Sequence, residues 1–167
     1  MINVIRSQEI PASLLRANPS YRGIDILEAF DVDFHSKCYL TESKAPANSH
    51  HFEVDHFIPQ NENPNLVYEW TNLYPILEQA NKIKPKSTPI GGYLDPCNDN
   101  VETEIIYSLS RITGKINFEP RDSRNLKAVN TSNLLYFVHN GRENEMSKQK
   151  AKNIQALINQ EIGRAHV

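Results

Sequence analysis

Between residues 50 and 85 the hydrophobic pattern changes period twice. Phe52-Glu53-Val54-Asp55-His56-Phe57-Ile58 is alternating and β-branched, which predicts a short strand over residues 52–58 closed by Pro59. A polar loop rich in Asn and Pro follows over residues 60–65, and residues 66–68 read as a second strand. From Leu73 the period becomes helical. Leu73, Ile76, Leu77 and Ala80 share one face, Pro75 is tolerable in the first turn, and Pro85 ends the run.

The flanks follow the same reading. Residues 2–5 predict an edge strand, and Pro11 and Pro19 punctuate the loop after it. Gly23 precedes a stripe of Ile24, Leu27, Phe30 and Phe34, a helix over about residues 23–34. Residues 37–42, K-C-Y-L-T-E, enter the central stretch as a turn or knuckle. Residues 86–100 form a long loop, in which Asp95 and Asp99 suit turn formation and are also within sequence reach of an outer-shell role. Residues 102–110 and 115–119 predict a hairpin turning near Thr113-Gly114. Helices are predicted over residues 125–139, stopped by Asn140-Gly141, and over residues 145–160. The whole predicts one α+β domain over residues 1–160. The last seven residues, 161–167, back-translate into a common library-adapter string and read as a non-native tail.

The polar residues at the inner corners of the central stretch are Asp55, His56, Asn72 and Asn81. Those types at that spacing suit metal-assisted phosphodiester hydrolysis. Asp55 offers an anionic oxygen and Asn81 a neutral carbonyl oxygen, ligands that Mg²⁺ accepts while keeping waters. His56 can take a proton from an attacking water near neutral pH. Adjacent strand residues point to opposite faces, so Asp55 and His56 can serve one site only if the strand ends or bulges there. Each residue also has an ordinary reading: Asp55-His56 as a solvated pair, Asn72 as a helix cap, Glu53 as an exposed strand position beside Asp55, His50 and His51 as loop histidines.

V-D-H-F-I-P, then W-x-N-L, then A-N-x-x-K resembles the HNH, or His-Me finger, nucleases, over roughly residues 37 to 85. The resemblance implies a ββα-metal core at about residues 50–85, embedded in a small domain with flanking helices and an added hairpin. It implies that Asp55 and Asn81 ligate Mg²⁺ or Mn²⁺, that His56 is the general base, and that Asn72 pins the central loop through backbone hydrogen bonds. Many HNH proteins carry two C-x-x-C pairs around a structural zinc. Here only Cys38 stands in such a position, with Thr41, Leu77 and Ala80 at the others, so no structural zinc is expected.

Charge adjusts the picture of partners. Formal net charge is −2, yet from Arg111 to Val167 ten Lys/Arg stand against five Asp/Glu. Lys82, Lys84 and Lys86 follow the predicted ligand Asn81 and are candidate phosphate contacts; the ordinary reading is a solvated helix end. The layout, with K-C-Y-L-T-E ahead of the finger and G-G-Y-L-D-P-C after it, is similar to small HNH proteins of prokaryotic defence. In Septu-type and some retron anti-phage systems such a nuclease works beside an ATPase, which implies an ATPase partner here. The reading adopted is a metal-dependent endonuclease acting on DNA, although nothing in the sequence discriminates DNA from RNA. An RNA-cleaving toxin and a catalytically silent docking module are the alternative readings. Two cysteines, Cys38 and Cys97, with no signal-peptide pattern and no apolar run near the ~20 residues of a membrane span, predict a cytoplasmic protein away from membranes.

Overall fold

Two short strands carry the middle of the molecule. In the computed structural model, which describes residues 1–44 and 52–140, β1 (Glu53–His56) pairs antiparallel with β2 (Leu73–Ile76), in the register Glu53↔Ile76, Val54↔Pro75, Asp55↔Tyr74 and His56↔Leu73. β2 is buried along its whole length, so its apolar positions cannot alternate, and a four-residue apolar run reads equally as a helical turn. That corrects two expectations. Residues 66–68 are not a strand: Asn63 caps a 3-10 turn at Pro64–Leu66, its side chain accepting from the Asn65 amide at 3.2 Å. Residues 73–76 are not helical, and the helix begins only at α2 (Glu78–Ile83). Pro75 is tolerated in β2 because the strand lies at the edge of a two-stranded sheet, where its carbonyl accepts from the Tyr39 amide at 3.0 Å.

Before this unit, α1 spans Ile24–Asp33 and buries Ile26, Phe30 and Asp33. Phe30 stacks on Trp70 at 5.3 Å between centroids, and Phe34 meets the edge of Tyr74 at 5.8 Å. The N-terminal residues 2–5 form no strand; Val4 donates a single backbone bond to Pro96, 2.8 Å. Arg6 enters the core instead, donating to the backbone carbonyls of Trp70 and, at 2.8 Å, Leu73. Its guanidinium lies over the rings of Tyr74 (4.4 Å) and Trp70 (4.7 Å).

After α2, the loop over residues 86–100 is ordered by its own side chains. Asp95 accepts from the Cys97 amide at 2.8 Å and from Tyr74 Oη at 2.6 Å, and Asp99 accepts from the Asp95 amide at 2.8 Å. Turn formation is therefore what Asp95 and Asp99 do, and Asp95 also braces β2 through Tyr74. Gly91 sits at φ +89°, and a Cβ there would come within 2.6 Å of Leu126 Cβ, so glycine is required by space as well as by torsion.

The remaining elements are α3 (Val101–Glu104), the hairpin of β3 (Ile105–Leu109) and β4 (Ile116–Pro120), and α4 (Leu126–Asn140). The expected strand over residues 102–110 thus begins three residues late, its start taken by α3. Asn140 joins the end of α4 to β4, accepting from the Ile116 amide at 3.0 Å and donating to its carbonyl at 2.7 Å. The helices and small antiparallel sheets make an α+β domain, as the hydrophobic pattern predicts. His50, His51, Gly141, the expected helix over residues 145–160 and the tail over residues 161–167 lie outside the described residues.

Candidate active site

β1 ends at His56, and the two neighbouring side chains have separate partners: Asp55 meets Tyr39 and Lys84, whereas His56 meets Val67, Gln60 and Tyr21. Asn72 holds the loop that follows β1. Its Oδ1 accepts from the Ile58 amide at 2.8 Å, and its Nδ2 donates to the carbonyls of Ile58 and Leu66, each at 3.1 Å. Its backbone carbonyl accepts from the Phe57 amide at 2.9 Å. A buried amide with its oxygen and both N–H groups engaged can sit in only one orientation, so the loop over residues 57–66 is held at both ends.

The His56 ring is held by two partners. The Val67 carbonyl lies 3.0 Å from Nε2, and the Gln60 amide nitrogen lies over the ring edge, 3.0 Å from Nδ1 and 3.3 Å from Nε2. A carbonyl can only accept, which places the proton of the neutral ring on Nε2 and leaves the lone pair on Nδ1. The edge of Tyr21 packs on the ring at 4.8 Å. Burial lowers the His56 pKa, with the Lys84 charge adding to the shift, and outweighs the opposing Val67 bond and Asp55 charge. His56 is therefore a neutral imidazole at pH 7, with its basic nitrogen bonded to a displaceable side chain.

Asp55 is buried and carries two donors on one oxygen: Tyr39 Oη at 2.7 Å and Lys84 Nζ at 2.6 Å. Lys84 also donates to the His56 carbonyl at 3.0 Å, tying the Asp55 and His56 positions together. Burial first and the Asp55 charge second push the Tyr39 hydroxyl well above the usual phenol range, so it remains a donor. Lys84 is thus an internal counter-charge, 5% exposed, and does not stand with the other lysines as a surface phosphate contact. Lys82 and Lys86 are exposed; Lys82 pairs with Glu78 one turn back, and Lys86 reaches the Asn81 carbonyl at 3.4 Å.

On the same face of β1 as Asp55, the exposed Glu53 accepts from Asn81 Nδ2 at 2.6 Å. Asp55, Glu53 and the Asn81 carbonyl oxygen are all hard oxygen donors, the kind Mg²⁺ or Mn²⁺ takes. The donor chemistry fits such an ion, with one qualification in the arrangement: the Asp55 charge is met by an ammonium. Among the described residues no group of three or more His, Cys, Asp or Glu could hold a metal. Of the positions compared with zinc ligands, Cys38, Thr41 and Ala80 are buried and Leu77 is half-buried against the core.

Tyr39, Gln60, Val67, Tyr21 and Arg6 complete the surroundings, and the sequence gives them little signal. Gln60 stands four residues after His56 and Tyr39 lies in the knuckle, but nothing in their spacing marks a contact with His56 or Asp55.

Comparison with known proteins is narrow. No protein-family model matches the chain, and no solved structure matches it. Septu protein PtuB of Bacillus thuringiensis is 38% identical over 47 residues, a stretch that covers 28% of this chain and 18% of PtuB. The likeness is therefore to a minor part of PtuB. No helix among the described residues is long and apolar enough to cross a membrane.

Proposed function

We propose that this chain is a metal-dependent endonuclease of the HNH type that hydrolyses DNA phosphodiester bonds in anti-phage defence, beside an ATPase partner. The observation that carries the reading is His56: a buried neutral imidazole whose tautomer is set by Val67 and whose basic Nδ1 is offered to Gln60. A structural histidine would gain nothing from a basic nitrogen covered only by an exposed glutamine. A water taking the place of the Gln60 amide would lose a proton to Nδ1 as its oxygen bonds phosphorus and the P–O3′ bond breaks, the leaving oxygen taking a proton from solvent. Asp55 and Asn81 would hold Mg²⁺ or Mn²⁺, which supplies stabilisation of charge on the phosphate and the leaving oxygen. Asn72 keeps the loop that carries Gln60 and Val67 in register with β2.

The order β1, β2, α2, with Asp55 and His56 on the first strand and Asn81 on the helix, supports the ββα-metal reading. The partial likeness to Septu protein PtuB supports the defence setting. One observation favours a second reading: Lys84 already compensates Asp55, which suits a catalytically silent docking module. Purified protein incubated with plasmid DNA and with total RNA, with and without Mg²⁺, separates these. Mg²⁺-dependent plasmid cleavage is expected. Cleavage of RNA alone would move the substrate, and no cleavage of either would leave the docking module.

A further inference from the structure

Beside His56 lies a cleft of about 440 Å³, lined by Tyr21, Arg22, Phe52, Glu53, Gln60 and Asn81 among others. That volume falls in the range of roughly 300–1,000 Å³ that holds small organic groups. The cleft runs from the Gln60 that covers His56 Nδ1 to the Glu53–Asn81 pair, while His56 and Asp55 themselves lie behind its lining. Of its aromatic neighbours, Tyr21, in the turn ahead of α1, lines the cleft. Tyr68, which follows the Val67 carbonyl that fixes His56, lies outside that lining but packs beside Tyr21, with ring centroids 6.1 Å apart and planes tilted by 37°. Tyr68 is 45% exposed, and its ring meets no other aromatic ring among the described residues. The exposed Arg22 places its guanidinium 5.6 Å from the Tyr21 ring.

We propose that Tyr21 and Tyr68 form a stacking wall for a nucleobase next to the cut phosphate, with Arg22 on the adjoining backbone phosphate. This inference rests on the nuclease reading and sharpens it. Stacking on a side chain needs a base whose face is free, so the substrate has unpaired nucleotides at the position cut. A partly exposed aromatic pair flanked by a cation matches a nucleotide: a flat ring and its phosphate. The wall is selective for a base being present and tolerant of which base it is, since every base has a π-face.

The test uses the full chain with His56→Ala, so that nothing is cut, and labelled 20-mers measured by fluorescence anisotropy. The set comprises single-stranded DNA, the same strand with central abasic sites, perfect duplex DNA, and the matching RNA. Intact single strands should bind roughly 5- to 100-fold more tightly than abasic ones, the contribution of a stacked base. Tyr68→Ala should remove that ratio by weakening only the intact strand, and Tyr68→Phe should keep it. The RNA arm distinguishes which sugar backbone presents the base. Equal binding of intact and abasic strands, an equal loss on both in Tyr68→Ala, tighter binding of perfect duplex, or no binding at all would each overturn the proposal. Separate cleavage assays with His56 intact keep the two readings apart. Cleavage without base discrimination sinks the stacking wall alone; base discrimination without cleavage sinks the nuclease reading alone.

Discussion

At His56 two physical effects act on one ring, and each yields a measurable outcome. Removing the imidazole should slow the chemical step about 10²–10⁴-fold, the usual contribution of a general base. Single-turnover cleavage by His56→Ala checks this, with far-UV circular dichroism confirming the fold. The lowered pKa places the acid limb of kcat/KM below the unperturbed value of ~6.5, so the rate should be flat from about pH 7 to 8. The same shift affects stability. Between ~6.5 and the lower folded value the unfolded chain binds the proton that the folded one refuses, so stability is lost as pH falls through that window and is complete above it. Lys84 gives the other residue-level prediction. Removing one member of a buried ion pair leaves a bare charge and costs about 3–5 kcal/mol. Lys84→Ala should therefore unfold at markedly lower denaturant. If Asp55 and Asn81 do take a divalent ion, added Mn²⁺ should raise the melting temperature of Lys84→Ala more than that of the native chain. Equal shifts would show that Lys84 and the ion do not share the carboxylate.

Between elements, the loop from β1 to β2 is the part whose geometry the chemistry depends on, and Asn72 is its fastening. Asn72→Asp keeps the acceptor for the Ile58 amide but loses both N–H donors; the Leu66 carbonyl retains the Glu69 amide at 3.3 Å, and the Ile58 carbonyl loses the Asn72 donor. A buried polar group left unpaired costs about 1–3 kcal/mol, so a total loss of that order is expected in chemical denaturation. Cleavage should fall further than stability alone explains, because Val67 and Gln60 ride on the same loop. The sequence made this scale legible only in part. β1 and α1 show clear alternation or a clear helical stripe, and the residues Asp55, His56, Asn72 and Asn81 stand out by type. β2 was hidden because it is buried on both faces, and Leu73-Tyr74-Pro75-Ile76 then carries no period to distinguish strand from helix. Lys84 read as a surface charge because a lysine's partner, here Asp55 twenty-nine positions away, is a tertiary fact. Arg6 and Tyr39 were invisible for the same reason: their roles are contacts, not patterns.

Across the whole molecule, charge limits what the chain can hold by itself. With Lys84 turned inward, the lysines beside the site reduce to Lys82 and Lys86, and Lys82 is already paired with Glu78. Arg22 adds one more exposed cation on the His56 side. Few phosphates can therefore be neutralised at once, and the formal net charge of −2 offers no long-range attraction to compensate. Each phosphate contact contributes about −0.9 to the slope of log affinity against log salt on duplex DNA. The isolated chain should thus bind duplex DNA weakly, with a slope shallower than about −3, and without sequence preference. If an ATPase supplies the missing grip, its addition should steepen that slope and raise the cleavage rate together, because added phosphate contacts and longer residence have one cause. Titrations at several salt concentrations with and without such an ATPase, if one is encoded beside the chain, measure both. A steep slope for the chain alone would mean that phosphates are gripped by residues other than Lys82, Lys86 and Arg22, and that the proposed nuclease needs no partner to reach its substrate.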